Sequence, residues 1–291
     1  MSGERPVRER LSVRKTYKLW IGGAFVRSES GRYDEAGGFN FPRASRKDVR
    51  DAVAAARKAA GLWAARTAYN RGQILYRLAE VMESRREELH ASLVRGGADQ
   101  DAAARELSTA IDRAVYYAGF CDKYQSLVAS ANPVAGPHFG FSVPEPMGVV
   151  AVVAPEQPVL LGLVSTVLPV IAGGNTCVVV AGTADPRTAV VWCECLATSD
   201  LPGGVVNVLT GDAAEMAPHL AKHREVIAMD LWGLPAKVAA ELAKSGADNV
   251  KRVTVRSEKD LAALADEDRG QGLGYVEKWL EMKTVWHPAG I

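Results

Sequence analysis

Between Ser45 and Ser130 apolar residues recur at three- and four-residue intervals with charges on the opposite side, as in "RKDVRDAVAAARKAAGLWAA" and "RGQILYRLAEVMESRREELHASLV". This period predicts amphipathic helices. The stretch "AARELSTAIDRAVYYAGFCDKY" predicts one more. Prolines, glycines and alternating aromatics then take over in residues 131–146, "ANPVAGPHFGFSVPEP", which predicts an extended excursion or hairpin. From Met147 the rhythm changes again. Strand-like "MGVVAVVA" leads into helical "VLLGLVSTVLPVIAGGN", with Pro169 to be accommodated as a kink. "TCVVVA", "GVVNVLTG", "EVIAMD" and "NVKRVTVR" read as further strands, separated by helices over 186–199, 212–222 and 235–246. Strands apolar on both faces, alternating with helices of this length, predict right-handed βαβ units around a mainly parallel sheet. The fold class is therefore doubly wound α/β. After Arg256 the pattern decays, and "YVEKWLEMKTVWHP" reads as one exposed strand carrying a bulky stripe of Tyr275, Trp279, Val285 and Trp286. Such a strand is an interaction edge.

Composition narrows the class. The 291 residues are 48% hydrophobic and 24% charged, the profile of a globular chain with a sizeable core. The formal charge of +1 gives no global field toward nucleic acid or an anionic membrane. Residues 1–18 form a locally basic arm without the apolar stretch of a secretory signal, and the uncharged run from Gln157 to Gly182 is too broken to span a bilayer. The four cysteines, Cys121, Cys177, Cys193 and Cys195, have no zinc spacing and read as reduced thiols of a cytoplasmic protein. His219 and His223 stand four apart, but Leu220 follows the first where a zinc hydrolase places glutamate, so no metal site is expected. Asp212 reads as a helix cap.

Several of these segments, in order, carry a family resemblance. "EPMGVVAVVAP", "AGGNTCVVVA", "LPGGVVNVLTG" and "NVKRVTV" resemble the aldehyde dehydrogenase superfamily, as do the opening "YKLWIGGAFVRSESGR" and the closing "LEMKTVWHP". The resemblance implies a Rossmann-like domain that holds NAD(P) without a GxGxxG fingerprint, and none occurs here. It divides the chain into a cofactor-type domain with N-terminal helices (19–130 and 147–260), a β-flap for oligomerisation (131–146 and 275–291) and a linker (261–274). The linker stands where the family has its catalytic domain and nucleophilic cysteine.

The same resemblance locates the positions where the chemistry would sit, and they have changed. The asparagine that donates to the oxyanion falls on Gln157. The lysine and glutamate that clasp the adenosine ribose fall on Val180 and Thr183. The small-residue phosphate turn falls on Met229, Asp230, Leu231 and Trp232, where an acid and an indole oppose phosphate approach. The glutamate base of Glu-Leu-Gly-Gly falls on Arg256, which cannot accept a proton. With no cysteine after Cys195, the nucleophile is missing as well.

The expectation is a catalytically silent subunit that binds no NAD(P) and partners a full-length aldehyde dehydrogenase through its flap, with neither nucleic acid nor membrane as partner. Two alternatives stay open. One is an NAD(P)-dependent oxidoreductase with a non-standard or partner-completed site. The other is a binding module for another nucleotide or an acyl group.

Overall fold

The structure is a computed structural model that describes Leu11, Val13, residues 15–266 and residues 268–289. Most of the basic arm lies outside the described residues. Its end does not behave as an arm, because Tyr17 is buried against Phe39 and Phe41.

A seven-stranded sheet forms the centre. It contains β1 (Leu19–Ile21), β2 (Ala24–Val26), β7 (Val149–Val153), β8 (Thr176–Val180), β9 (Val206–Leu209), β10 (Val226–Leu231) and β11 (Arg252–Val255). Their order is β11-β10-β7-β8-β9-β1-β2. The five strands from β11 to β9 are parallel, and the β1–β2 hairpin continues the sheet antiparallel. Gly22 and Gly23 turn that hairpin at positive φ. A Cβ on Gly23 would stand 2.7 Å from the Gly203 backbone, so only glycine permits this approach.

The alternation of strands and helices delivers the predicted doubly wound topology. β7 is central. The chain winds outward through β8 and β9, then crosses to the other side of β7 for β10 and β11. Helices α8 (Ala213–Lys222) and α9 (Ala236–Ala247) cover one face together with α1 (Arg46–Ala64). On the other face lie α6 (Val159–Ala172) and α7 (Pro186–Ala197), backed by α2 (Ala68–Ser84), α3 (Arg86–Arg95) and α4 (Gln100–Phe120). β7, β8 and β9 are buried along their whole length, as strands with apolar residues on both faces require. Pro169 sits inside α6, every residue of which is buried. Ser45 and Asp48 form a capping box at the start of α1, and Asp212 caps α8 by accepting from the Ala214 N–H at 2.8 Å.

The remaining strands are the β3 (Tyr33–Ala36) and β4 (Phe39–Pro42) pair, and a separate sheet of β5 (Ser130–Asn132), β6 (His138–Pro146) and β12 (Leu280–Pro288). β12 pairs with β6 along nine residues, from Leu280↔Pro146 to Pro288↔His138. This is the expected flap, but it begins at Leu280 rather than at 275. Tyr275 lies in the short helix α11 (Leu273–Glu277), and Trp279 is 1% exposed in the main core. The bulky stripe is therefore not one exposed strand. Trp279 is fixed because the Asn175 amide donates to its carbonyl at 2.8 Å, while Trp286 is 64% exposed. The linker is also more ordered than its composition suggests. It holds the end of α10 (Glu258–Ala265) and the start of α11, both packed on α6. Among the described residues, α10 and α11 are the elements between β11 and β12.

Candidate functional site

In an open sheet wound both ways from a central strand, ligands bind beyond the carboxyl ends of the strands where the winding reverses. Here that crevice lies at the ends of β7, β8, β10 and β11. Gln157, Val180, Thr183, Asp230, Trp232 and Arg256 lie at or next to these strand ends, with different fates.

Val180 ends β8 as a core residue, 1% exposed and paired with Val153 on one side and Leu209 on the other. It offers no polar atom to a ribose. Thr183, just beyond, is engaged by a residue the sequence reading passed over. The Glu156 carboxylate accepts from the Thr183 N–H (3.1 Å), the Thr183 hydroxyl (3.2 Å) and the Ala184 N–H (2.7 Å). A carboxylate thus occupies the backbone donors at the mouth of β8. Gln157 next to it is exposed, and among the described residues its amide has no hydrogen-bond partner. A freely solvated amide on a turn is not the pre-aimed donor that an oxyanion requires.

The other side of β7 is filled more completely. Asp230, on β10, is 2% exposed and meets Arg256, just beyond β11, with Nε–Oδ1 2.6 Å and a second nitrogen 3.2 Å from Oδ2. The Trp232 Nε1–H donates to the same Oδ2 at 2.8 Å. The Arg256 guanidinium lies 4.8 Å from the Trp232 ring centre and 5.8 Å from that of Tyr275. Asp230 therefore does not stand as a bare negative charge, as its place in the phosphate turn suggested. It is the acceptor of a buried, bidentate ion pair whose cation is sandwiched by aromatic faces. Burial pushes the Asp230 carboxyl above its ordinary range, opposed by the Arg256 charge and by the two donors.

A third carboxylate lies at the start of α6. Glu106, from α4, accepts from the N–H groups of Leu160 (2.7 Å) and Leu161 (3.1 Å), the free donors of that helix end. Burial raises its pKa, and these backbone bonds partly offset the rise.

None of the four cysteines is placed to act as a nucleophile. All four cysteines are buried, and burial pushes Cys121 and Cys195 up to about 12 and raises Cys177 and Cys193 as well. A buried thiol that stays protonated does not attack a carbonyl. His219 in α8 and its C-cap His223 have no further histidine, cysteine or carboxylate grouped with them as a metal set among the described residues.

At or beside the positions that the family resemblance assigns to cofactor and base, the crevice thus carries the acids Glu156 and Asp230, the Trp232 indole and the Arg256 cation. These residues do not fit a nicotinamide dinucleotide. The groove between α2 and α4 and the cleft between α1 and α8 lie away from all of them. Glu106, Glu156 and the Asp230–Arg256 pairing carry no local signal, since their partners are 54, 27 and 26 residues distant. The strand order would have suggested the last pair, because β10 and β11 are neighbours, with Asp230 next to last in β10 and Arg256 directly after β11.

Comparison with known proteins gives the crevice its context. Residues 32–259 match the aldehyde dehydrogenase family. The chain is 32% identical to the mouse (Mus musculus) cytosolic 10-formyltetrahydrofolate dehydrogenase over 276 residues, which is 89% of this chain and 30% of that protein. It is 30% identical to the mouse mitochondrial 10-formyltetrahydrofolate dehydrogenase, covering 84% of this chain and 28% of that protein. The chain thus spans less than a third of the length of these relatives. Among solved structures it resembles the NAD-dependent aldehyde dehydrogenase from Sinorhizobium meliloti (TM-score 0.76, 26% identity, 86% of this chain and 54% of that one). It also resembles HpcC from Thermus thermophilus (TM-score 0.77, 25% identity, 83% and 48%). With a family match across most of its length and the same α/β architecture, the chain belongs to the aldehyde dehydrogenase family.

Proposed function

We propose that this chain is a non-oxidising, cytoplasmic member of its family: a structural or regulatory subunit that partners a full-length aldehyde dehydrogenase. The observation that carries the reading is the mutual pairing of Asp230, Trp232 and Arg256. Random decay of a site leaves unmatched polar groups, which are costly when buried. Here the residue in the base position neutralises the acid in the phosphate turn, and the indole satisfies that acid's remaining oxygen. The crevice has been rebuilt as a stable interior.

The flap supports the partnership. β12 is the outer strand of its sheet, nine residues long, with Met282 47% and Trp286 64% exposed, and Phe139 on β6 54% exposed. A long open edge beside apolar side chains invites strand addition. The resemblance assigns the receiving sheet to a catalytic domain, and between β11 and β12 the described residues form only α10 and α11. The partner supplies that sheet.

Calorimetry with NAD and with NADP, each in excess tripolyphosphate so that any other phosphate-binding surface is already occupied, tests the silent crevice, and no binding heat is expected. A micromolar dissociation constant for either cofactor contradicts the reading. The partnership is tested by co-purification with a full-length aldehyde dehydrogenase. Deleting residues 281–291, which leaves Trp279 and Leu280 in the core, should abolish it, and so should Trp286→Ala. Undiminished capture by both variants removes the flap as the interface.

A further inference from the structure

A cleft of about 740 Å³ opens between α1 and α8, on the outer side of the helical layer and away from the rebuilt crevice. Ser45, Arg46, Lys47, Val49, Arg50, His219, Lys222 and His223 line it. Arg46, Lys47, Arg50 and Lys222 put four cations among these eight residues, two more are histidines and none is acidic, in a chain whose formal charge with neutral histidines is only +1. The cations are local, not a reflection of a basic protein.

Their placement on α1 is unfavourable for the helix itself. Arg46, Lys47 and Arg50 occupy its first two turns, at the positive end of the helix dipole, where acids are stabilising and bases are not. Asp48 is the only acid in that first turn, and its carboxylate is already engaged by the Ser45 N–H, the Ser45 hydroxyl and the Ser28 hydroxyl. His219 and Lys222 sit in the last turn of α8, where the dipole favours cations, but they face the same cleft and add to its field.

Two of the cations have acidic neighbours outside the cleft lining, Lys47 with Glu29 and Arg50 with Asp51. Glu225 is taken by Arg57. Among the described residues Arg46, His219 and Lys222 have no acidic partner. This contrasts with nearby Arg32 and Arg43, which both close on Glu215, and with Arg77 and Arg86 on their own helical neighbours.

We propose that this cleft binds a small polyanion carrying two or more phosphate groups, held by Arg46, Lys222 and His219 with Lys47 and Arg50 at the rim. An anion there relieves the repulsion among like charges. The volume suits a ligand up to nucleotide size. A nucleoside and an inorganic polyphosphate share this chemistry, and the experiment separates them.

The full chain is titrated calorimetrically with tripolyphosphate and with ATP at low and at moderate salt. Saturable one-to-one binding of either, weakened by salt, is expected. Binding of ATP alone assigns a contribution to the nucleoside, and equal binding assigns recognition to the phosphates. The double variant Arg46→Gln, Lys222→Gln should bind at least about tenfold more weakly, since it removes two charge-assisted contacts. The variant Arg105→Gln, Lys123→Gln removes the same charge from the region of α4 and should bind as the native chain does. Circular dichroism confirms that both variants fold. Absence of binding by the native chain overturns the proposal, as does equal weakening by the two variants. Binding of a single-stranded oligonucleotide with none of either triphosphate overturns it too.

Discussion

Arg256→Met removes the cation from the rebuilt crevice while keeping much of the side-chain volume. Asp230 then stays buried with Trp232 Nε1–H as its remaining side-chain donor. Unit charges 4 Å apart attract by about 4 kcal/mol at an effective dielectric near 20. Deleting one partner of a buried ion pair costs about 3–5 kcal/mol, because the other charge is stranded. The variant should therefore lose about 3–5 kcal/mol near pH 7, a large share of a total on the order of 5–15 kcal/mol. The loss depends on pH with a definite sign. Burial already raises the Asp230 carboxyl, and Arg256 is the first-ranked influence opposing that rise. Without Arg256 the folded pKa climbs further above the unfolded value of about 3.9. A group with a raised folded pKa contributes stability fully below its unfolded pKa and loses it as pH rises through the folded one. The deficit should be small in mild acid and complete at neutrality. Adding Asp230→Asn removes the stranded charge and keeps an acceptor for Trp232, so the double variant should recover most of the loss near pH 7. Urea denaturation followed by far-ultraviolet circular dichroism, in mild acid and at neutral pH, measures each term. A loss below about 1 kcal/mol at neutrality for Arg256→Met, or no recovery in the double variant, would refute the claim that the pair holds this crevice together.

Three further outcomes follow from the same structure. Trp232→Ala empties a site that is 2% exposed and takes a donor from Asp230, so a cost of about 3–5 kcal/mol or more is expected in the same denaturation assay. Burial raises the Glu106 pKa, so the native chain loses stability as pH rises through it. Glu106→Gln has no such titration, and its stability relative to the native chain should improve from acid to neutral pH; a pH-independent difference contradicts this. Finally, all four thiols are buried and held protonated, so a disulfide reagent such as Ellman's should label none in the native protein and all of them after unfolding. Rapid labelling of a native thiol would reopen the search for a nucleophile.

The linear pattern carried the architecture because burial imposes a period on each element. Apolar residues on both faces of "VVAVV" and "TCVVV" require strands covered on both sides, and the three- and four-residue spacing in residues 46–120 requires helices with one buried side. The family resemblance pointed to the crevice and to Gln157, Val180, Thr183, Trp232 and Arg256 as side chains unlike the family's there. Only the tertiary structure decided what those changes do. Asp230 and Arg256 lie 26 residues apart, and each by itself reads as damage: a negative charge among phosphates, a cation in place of a base. Parallel pairing of β10 with β11 brings them within 2.6 Å, and low dielectric turns two losses into one compensated pair. Trp279 shows the same division. Its spacing with Trp286 suggested one exposed strand, but the Asn175 amide holds its carbonyl and the strand begins one residue later. Periodicity reports which face of an element is buried, whereas pairing between distant side chains is set by the order in which the strands are laid down.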